Sequence, residues 1–261
     1  MKIDYHFLKN KKNQLVAIER CCLNRNKVSF LADRHWIVPL LIPKEKIKVL
    51  EIGGGSLFSY QYALDEEHKN LLDYYVYDSF DESTSKRLDK IKFIRYKPEN
   101  KNIPLSNAKF DLIIAMDVIE HVIDTDEFLN EIKRLLKDDG KAIITTPNYS
   151  NLKFTLKYIM GHMAHDPLGS EIEKYTFREH VKYFTNRNFY PYIESRGLNC
   201  EAKIFHSLRV TDAILNNNIF IRLLINLYNL LPKFHNRFSH TIIGVFNKNN
   251  IFSDNIMKIN I

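Results

Sequence analysis

Carboxylates and glycines stand together where short apolar runs of the chain end. Glu51 is followed by Gly53, Gly54 and Gly55, directly after Val49, Leu50 and Ile52. Asp78 closes the compact run 74–77, and Met116 and Asp117 follow the run 110–115. Glycines after a strand let backbone come close to a nucleotide-like ligand, because a Cβ would clash or forbid positive φ. A carboxylate at the end of a second strand can accept two hydrogen bonds from ribose hydroxyls. The same residues also serve as an ordinary tight turn and a solvated cap, so the details must decide.

Such a site suits either a dinucleotide or S-adenosylmethionine. A dinucleotide fingerprint needs GxGxxG, whose last glycine packs helix on strand. Here Gly53 and Gly55 are followed by Phe58 at that last position. Glu51 would repel a pyrophosphate but could meet a cationic amino group. The residues therefore favour a cofactor bearing an amino acid, and a nicotinamide oxidoreductase is the weaker alternative.

The elements that must position these groups follow from periodicity. The runs 49–52, 74–77, 91–96, 110–115 and 142–146 read as short buried strands. After the glycine turn, Leu57, Phe58, Tyr60, Tyr62 and Ala63 read as the start of a helix. A helix is predicted over 124–136: Asp124 and Glu127 have capping-box spacing, and Phe128, Leu129, Ile132, Leu135 and Leu136 share a face. Gly140 suits the position just past its end. Pro39 and Pro43 argue against a regular helix in the apolar segment 36–42, leaving an arm on the sheet edge or a cap over the site. A helix is expected over 185–197 with Pro191 delaying its start, a sixth strand over 200–206, a helix over 219–231 and a last strand over 240–246. The tail 247–261 is expected to be partly disordered. Alternating strands and helices predict a mainly parallel sheet with helices on both faces.

Composition bounds the function. The formal charge of +7 comes from scattered lysines and arginines, without the separate basic, aromatic-laced module that an RNA enzyme would carry. Cys21, Cys22 and Cys200 form neither a disulfide framework nor a CxxC metal spacing, which fits a reducing compartment. The first residues show no apolar signal core, so a cytoplasmic location is expected. No run reaches the roughly 18 apolar residues of a membrane span. The segment 219–231, with Arg222 inside it, is an ordinary core helix or a contact with a membrane surface.

Five segments in order, VLEIGGG, YDSF, FDLIIAMDVIEHV, FLNEIKRLLKDDGKAIITTPN and EHVKYFT with the later SRGL, cover roughly residues 47–200. In these the chain resembles the class I S-adenosylmethionine-dependent methyltransferases, in the group that includes ubiquinone-biosynthesis and small-molecule O-methyltransferases. The resemblance implies a Rossmann-like α/β fold with a seven-stranded, mostly parallel sheet whose last strand is antiparallel. It implies a single domain: an N-terminal cap (1–46), a cofactor-binding half (47–148), and a substrate-side half (149–261) with a lid insertion and a C-terminal helix and strand. It implies that Glu51, Gly53 and Gly55 border the methionine moiety and ribose, and that Asp78 holds the ribose hydroxyls, with Ser79 and Phe80 beside the adenine. Glu99 and Asn100 occupy the loop near the adenine, and Met116 and Asp117 line the pocket.

Methyl transfer is an in-line displacement at an activated carbon, so the protein must chiefly align the partners in a dry site. A base helps when the acceptor is a hydroxyl. His121, just past the fourth strand, and His180 are the candidates, and each would equally suit a structural hydrogen bond. His162, His165 and Asp166 have no defined fourth partner, and no metal is expected. Thr146–Pro147–Asn148–Tyr149 is similar to the motif of adenine methyltransferases, but it follows the fifth strand where theirs follows the fourth. The leading expectation is methyl transfer to a small-molecule or glycan acceptor, at a hydroxyl. The alternatives are an RNA methyltransferase and a non-catalytic cofactor-binding member of the family. Oligomeric state is not legible in the sequence.

Overall fold

The computed structural model describes residues 3, 34–54, 60, 64–79, 90–96, 102–162, 180–205, 223, 239–248 and 257–260. Within these, the elements are α1 (Arg34–Leu40), β1 (Ile47–Ile52), α2 (Glu66–Leu71), β2 (Leu72–Asp78), β3 (Ile91–Arg95), β4 (Phe110–Met116), a 3-10 turn (Ile119–His121), α3 (Thr125–Leu135), β5 (Leu136–Pro147), α4 (Leu152–Ile159), α5 (Phe189–Glu194), β6 (Asn199–Phe205), β7 (Thr241–Asn247) and β8 (Met257–Asn260). The strands join one sheet in the order β3-β2-β1-β4-β5-β7-β6-β8. β1 to β5 pair in parallel, and β7 runs antiparallel to both β5 and β6. The seven-stranded, mostly parallel sheet with a reversed last strand is thus present. β8 adds an eighth strand beside β6, in the tail expected to be partly disordered, where Ala202–Phe205 offers an edge to pair with.

Each central strand is apolar on both faces because both faces are covered. Alternate residues of β1 and β4 go to opposite cores. Leu50, Ile52, Ile113 and Ala115 pack with Leu129, Ile132 and Leu135 of α3 and Phe189, Tyr190 and Ile193 of α5. Val49, Leu112 and Ile114 pack with Val76 and with Ile37, Val38, Leu41 and Ile42. Asp124 caps α3 by accepting the Glu127 backbone N–H at 2.8 Å, as the capping spacing predicts.

Two local expectations are corrected. Segment 36–42 is helical in its first part despite Pro39, which stands one residue from the end of α1 and so removes little of the helix bonding. Ile37, Val38, Leu41 and Ile42 are all buried, at about 1.5–3 kcal/mol each. Their sum outweighs the roughly 3 kcal/mol of a fully interior proline. Gly140 does not end α3. The chain passes straight from Leu135 into β5, and Gly140 lies in that strand, where a Cβ would stand 2.9 Å from the Phe110 carbonyl oxygen. α5 begins only at Phe189, after an Asn188 side chain that accepts the Thr185 N–H, and the chain turns out of it at Gly197, φ +82°.

Of the expected helix after the glycine turn only Tyr60 is described, and it is buried. Of segment 219–231 only Leu223 is described, so the membrane-surface expectation lies outside the described residues. Among the described residues no helix is long and apolar enough to cross a membrane.

Candidate active site

Register brings three strand ends to one edge. Ile52 of β1 stands beside Tyr77 of β2 and Ala115 of β4. The turn after β1 is anchored by the Gly53 N–H, which donates to the Tyr77 carbonyl at 2.9 Å. Gly53 has φ +74°, and a Cβ there would come within 2.4 Å of Val118 Cγ2. Only glycine satisfies both demands. A Cβ on Gly54 would lie 2.7 Å from the Glu51 carboxyl carbon, so Glu51 is tucked under the turn. Its carboxyl is buried, and Tyr74 donates its phenol proton to Oε2 at 2.8 Å. Burial pushes the Glu51 carboxyl up to about 7, against the Tyr74 hydrogen bond and with help from the Asp78 charge.

Asp78 sits buried at the end of β2, and the exposed Ser79 donates its hydroxyl to Oδ1 at 3.3 Å. At the end of β4, Met116 is half-buried against the core and Asp117 takes a left-handed φ of +50°. Thr145 of β5 holds that bend: its hydroxyl donates to Asp117 Oδ1 at 2.8 Å, and its carbonyl and hydroxyl both accept the Asp117 N–H at 3.1 Å. Beyond β3, Glu131 accepts the Ile103 N–H at 2.7 Å and Arg134 donates to the Ile103 and Leu105 carbonyls, which ties loop 103–105 to α3. Glu51, Gly53, Asp78, Ser79, Met116 and Asp117 therefore share one edge of the sheet. Gly55, Phe80, Glu99 and Asn100 lie outside the described residues.

A second cluster lies where the β4 exit continues. The 3-10 turn 119–121 carries Glu120 and His121. The backbone N–H groups of Val181 and Lys182 both donate to the Glu120 carbonyl, at 2.8 and 3.0 Å. That clamp brings His180 against His121: the rings are perpendicular, with centroids 4.5 Å apart. The Glu120 side chain is fully buried beside them, and one donor atom from each of the three residues falls within 4.8 Å of the others. This grouping suits a proton-transfer pair with a counter-charge, and its donor chemistry would also suit a divalent cation. His162 follows α4 in a separate segment, and His165 and Asp166 lie outside the described residues.

Tyr149 completes the cluster. It leaves β5 with its N–H on the Phe184 carbonyl at 2.9 Å, and its phenol oxygen bonds His180 Nδ1. Its ring stacks on Phe154 and meets the edge of Tyr183. Burial, then the charge of Glu120, pushes the Tyr149 phenol well above its ordinary range, and Asp117 adds to the shift. The same side chain thus feels carboxylates from both clusters. Asn148, beside it, is spent on structure: its amide donates to the Ser239 carbonyl at 2.6 Å and its Oδ1 accepts the Ser150 hydroxyl at 2.7 Å. Glu120, Thr145 and Tyr149 are the residues that sequence reasoning passed over. Glu120 stood in plain view beside His121, whereas no spacing pairs position 149 with position 180.

A family model described as a methyltransferase domain matches residues 19–203. The chain belongs to the methyltransferase domain family. The expected methyltransferase class is thereby borne out. Among curated relatives, the chain is 26% identical over 167 residues to the mitochondrial ubiquinone biosynthesis O-methyltransferase of Homo sapiens, covering 60% of this chain and 43% of that protein. It is 33% identical over 115 residues to the ubiquinone biosynthesis O-methyltransferase of Pelagibacter ubique, covering 41% and 44%. The match to the enzyme of the same name from Rickettsia canadensis is 22% over 178 residues, covering 68% and 72%. The matched part spans less than half the length of the human and Pelagibacter relatives. Two solved structures share the fold. One is a chain of the complex between the Haloferax volcanii Trm112 methyltransferase activator and a methyltransferase, with TM-score 0.55 at 13% identity over 95% of this chain and 99% of that one. The other is an S-adenosylmethionine-dependent methyltransferase from Mesorhizobium loti, with TM-score 0.54 at 13% identity over 81% and 96%.

Proposed function

We propose that this methyltransferase-family chain moves a methyl group from S-adenosylmethionine to a hydroxyl of a small molecule, a sugar hydroxyl of a glycan being the wider alternative. The observation that carries the reading is the perpendicular His121–His180 pair beside buried Glu120, on the turn that follows β4. When bound, the cofactor supplies an activated methyl group. The residues present fit it. Gly53 and Gly54 keep the turn free of Cβ atoms, and Asp78 is an acceptor of the right kind for ribose hydroxyls. Glu51, whose ionised form is disfavoured by burial, gains a reason to ionise from a cationic amino group nearby. In this reading Glu51, Gly53 and Gly55 border the methionine part, Asp78, Ser79 and Phe80 the ribose and adenine, Glu99 and Asn100 the adenine edge, and Met116 and Asp117 the wall between.

The chemistry left to the protein is alignment and removal of one proton. The histidine pair takes the hydroxyl proton, and Glu120 offsets the positive charge that this creates. We also infer that the substrate-side half, residues 149–261, supplies the acceptor pocket, since Tyr149 and His180 both come from it.

Calorimetric titration with S-adenosylmethionine, S-adenosylhomocysteine and NAD tests the cofactor, with Asp78→Ala as control. Micromolar binding of the first two, weakened at least tenfold in the variant, is expected. Binding of NAD alone would overturn the reading. A panel of phenol, sugar and amine acceptors with methyl-labelled cofactor then tests the acceptor class, and label transfer to amines alone would overturn the hydroxyl assignment.

A further inference from the structure

The two histidines are close enough to share a task, and the geometry assigns them different parts of it. We propose that Tyr149 is a positioning residue: its phenol O–H donates to His180 Nδ1, holds that ring as the Nε2–H tautomer, and so makes His121 the group that takes the acceptor's proton. The inference rests on the hydroxyl-methylation reading for its catalytic meaning, but its structural half stands on the hydrogen bond alone.

The argument begins with the phenol. The Tyr149 backbone is tied to Phe184, and the neighbouring Asn148 N–H donates to the His240 carbonyl at 3.1 Å. The ring is held on two sides, parallel to Phe154 with centroids 5.1 Å apart and edge-on to Tyr183 at 4.6 Å. Tyr149 is 4% exposed, so its hydroxyl has little water to turn to. It reaches His180 Nδ1. Of the two arrangements for this bond, the phenol as donor is the stronger. A neutral imidazole nitrogen carries a localised lone pair, whereas the phenol oxygen shares its electrons with the ring. Burial first, and then the charge of Glu120 with a smaller part from Asp117, raises the cost of removing the phenol proton, which keeps the donor in place at working pH.

Once Nδ1 accepts, the other ring nitrogen of neutral His180 must carry hydrogen. His180 then donates a hydrogen bond and takes up no proton. His121, anchored by its own N–H to the Val118 carbonyl at 2.9 Å and following Glu120 directly, is the remaining base. The acceptor's O–H bond would break toward His121 as its oxygen bonds the methyl carbon, and the methyl–sulfur bond would break with its electron pair left on sulfur. The positive charge lost at sulfur reappears on the imidazolium, beside the buried Glu120 carboxylate. In this arrangement His180 Nε2–H would be the donor that meets the acceptor's oxygen. The same bond weakens the case for a cation held by His180, because a ligating Nε2 carries no hydrogen.

The test has a spectroscopic arm and a kinetic arm. Long-range 1H–15N spectra of the ring nitrogens in the folded chain should show His180 with hydrogen on Nε2 and an accepting Nδ1, and Tyr149→Phe should shift it to a tautomer mixture. This arm needs no activity. A hydrogen on His180 Nδ1 in the unaltered protein overturns the proposal. In the kinetic arm, His180→Gln keeps an N–H near the Nε2 position but cannot take a proton, and it should lose kcat by about tenfold. His121→Gln should lose on the order of 10²-fold or more. Tyr149→Phe should lower kcat several-fold with the Kd for S-adenosylhomocysteine unchanged. The reverse order of the two glutamine variants overturns the assignment. Absence of methyl transfer by the unaltered protein, with the expected spectra, would instead count against the hydroxyl-methylation reading.

Discussion

The strand edge and the histidine cluster adjoin at one point of the chain, Asp117 and Glu120, yet they are built by opposite means. The edge at Glu51, Gly53 and Asp78 comes from neighbouring parallel strands in fixed register, and its key property is the absence of side chains at Gly53 and Gly54. The cluster at Glu120, His121, Tyr149 and His180 comes from three separate segments, and its key property is the contact of large side chains. Backbone geometry tolerates no side chain at Gly53 in the first. The second is held by one pair of hydrogen bonds to the Glu120 carbonyl and an aromatic clamp, so its parts can be altered one at a time.

The sharpest way to break that contrast is at the turn. Gly53→Ala places a Cβ against Val118 and holds an L-residue at positive φ, for a combined loss of about 2–5 kcal/mol in urea unfolding and loss of cofactor binding. Adding Val118→Ala should restore the steric part and leave the φ part. Equal losses in both backgrounds would mean that the clash is not what selects glycine.

The next effect is electrostatic. The folded-state value of Glu51, about 7, lies above its ordinary 4.5, so the folded protein keeps a proton there that the unfolded chain gives up. The stability this provides is present at low pH and is lost as pH rises from about 4.5 through about 7. Glu51→Gln, which stays neutral and can still accept from Tyr74, should therefore gain on the unaltered protein by up to about 3 kcal/mol between pH 4.5 and pH 8. Denaturant curves at both pH values check it, and a difference independent of pH would sink it. The same variant should bind cofactor more weakly, as the edge loses its anion.

The smallest effect falls where the two regions join. Thr145→Val removes the hydroxyl that holds the bend at Asp117, at about 1–2 kcal/mol. Because Asp117 links the edge to the histidine turn, this variant should affect both cofactor Kd and kcat, whereas Tyr149→Phe affects kcat alone.

Much of the edge was legible because its signals are local. An apolar run, a glycine cluster and a carboxylate within a few residues specify strand, turn and acceptor together, and the Asp124 cap marked α3 correctly. The misreadings share one cause. Pro39 and Gly140 have strong local preferences, and burial at 37–42 and the close approach of β5 to Phe110 overrode them. The eighth strand was missed because the residues at 257–260 take their strand form from the edge of β6, which lies more than fifty positions earlier.

The sequence by itself determined the succession of strands along the chain, the mainly parallel sheet, and the glycine turn and carboxylates at the strand ends, since periodicity and glycine placement act over a few residues and need no distant partner. It also named both histidines. Only the tertiary structure decided that they meet, that Glu120 is buried beside them, and that Tyr149 reaches His180. The physical reason is that a side-chain cluster depends on which loops the sheet brings together at its end. The Glu120 carbonyl that binds Val181 and Lys182 is a backbone group, which every residue type would carry, so no residue identity announces that meeting.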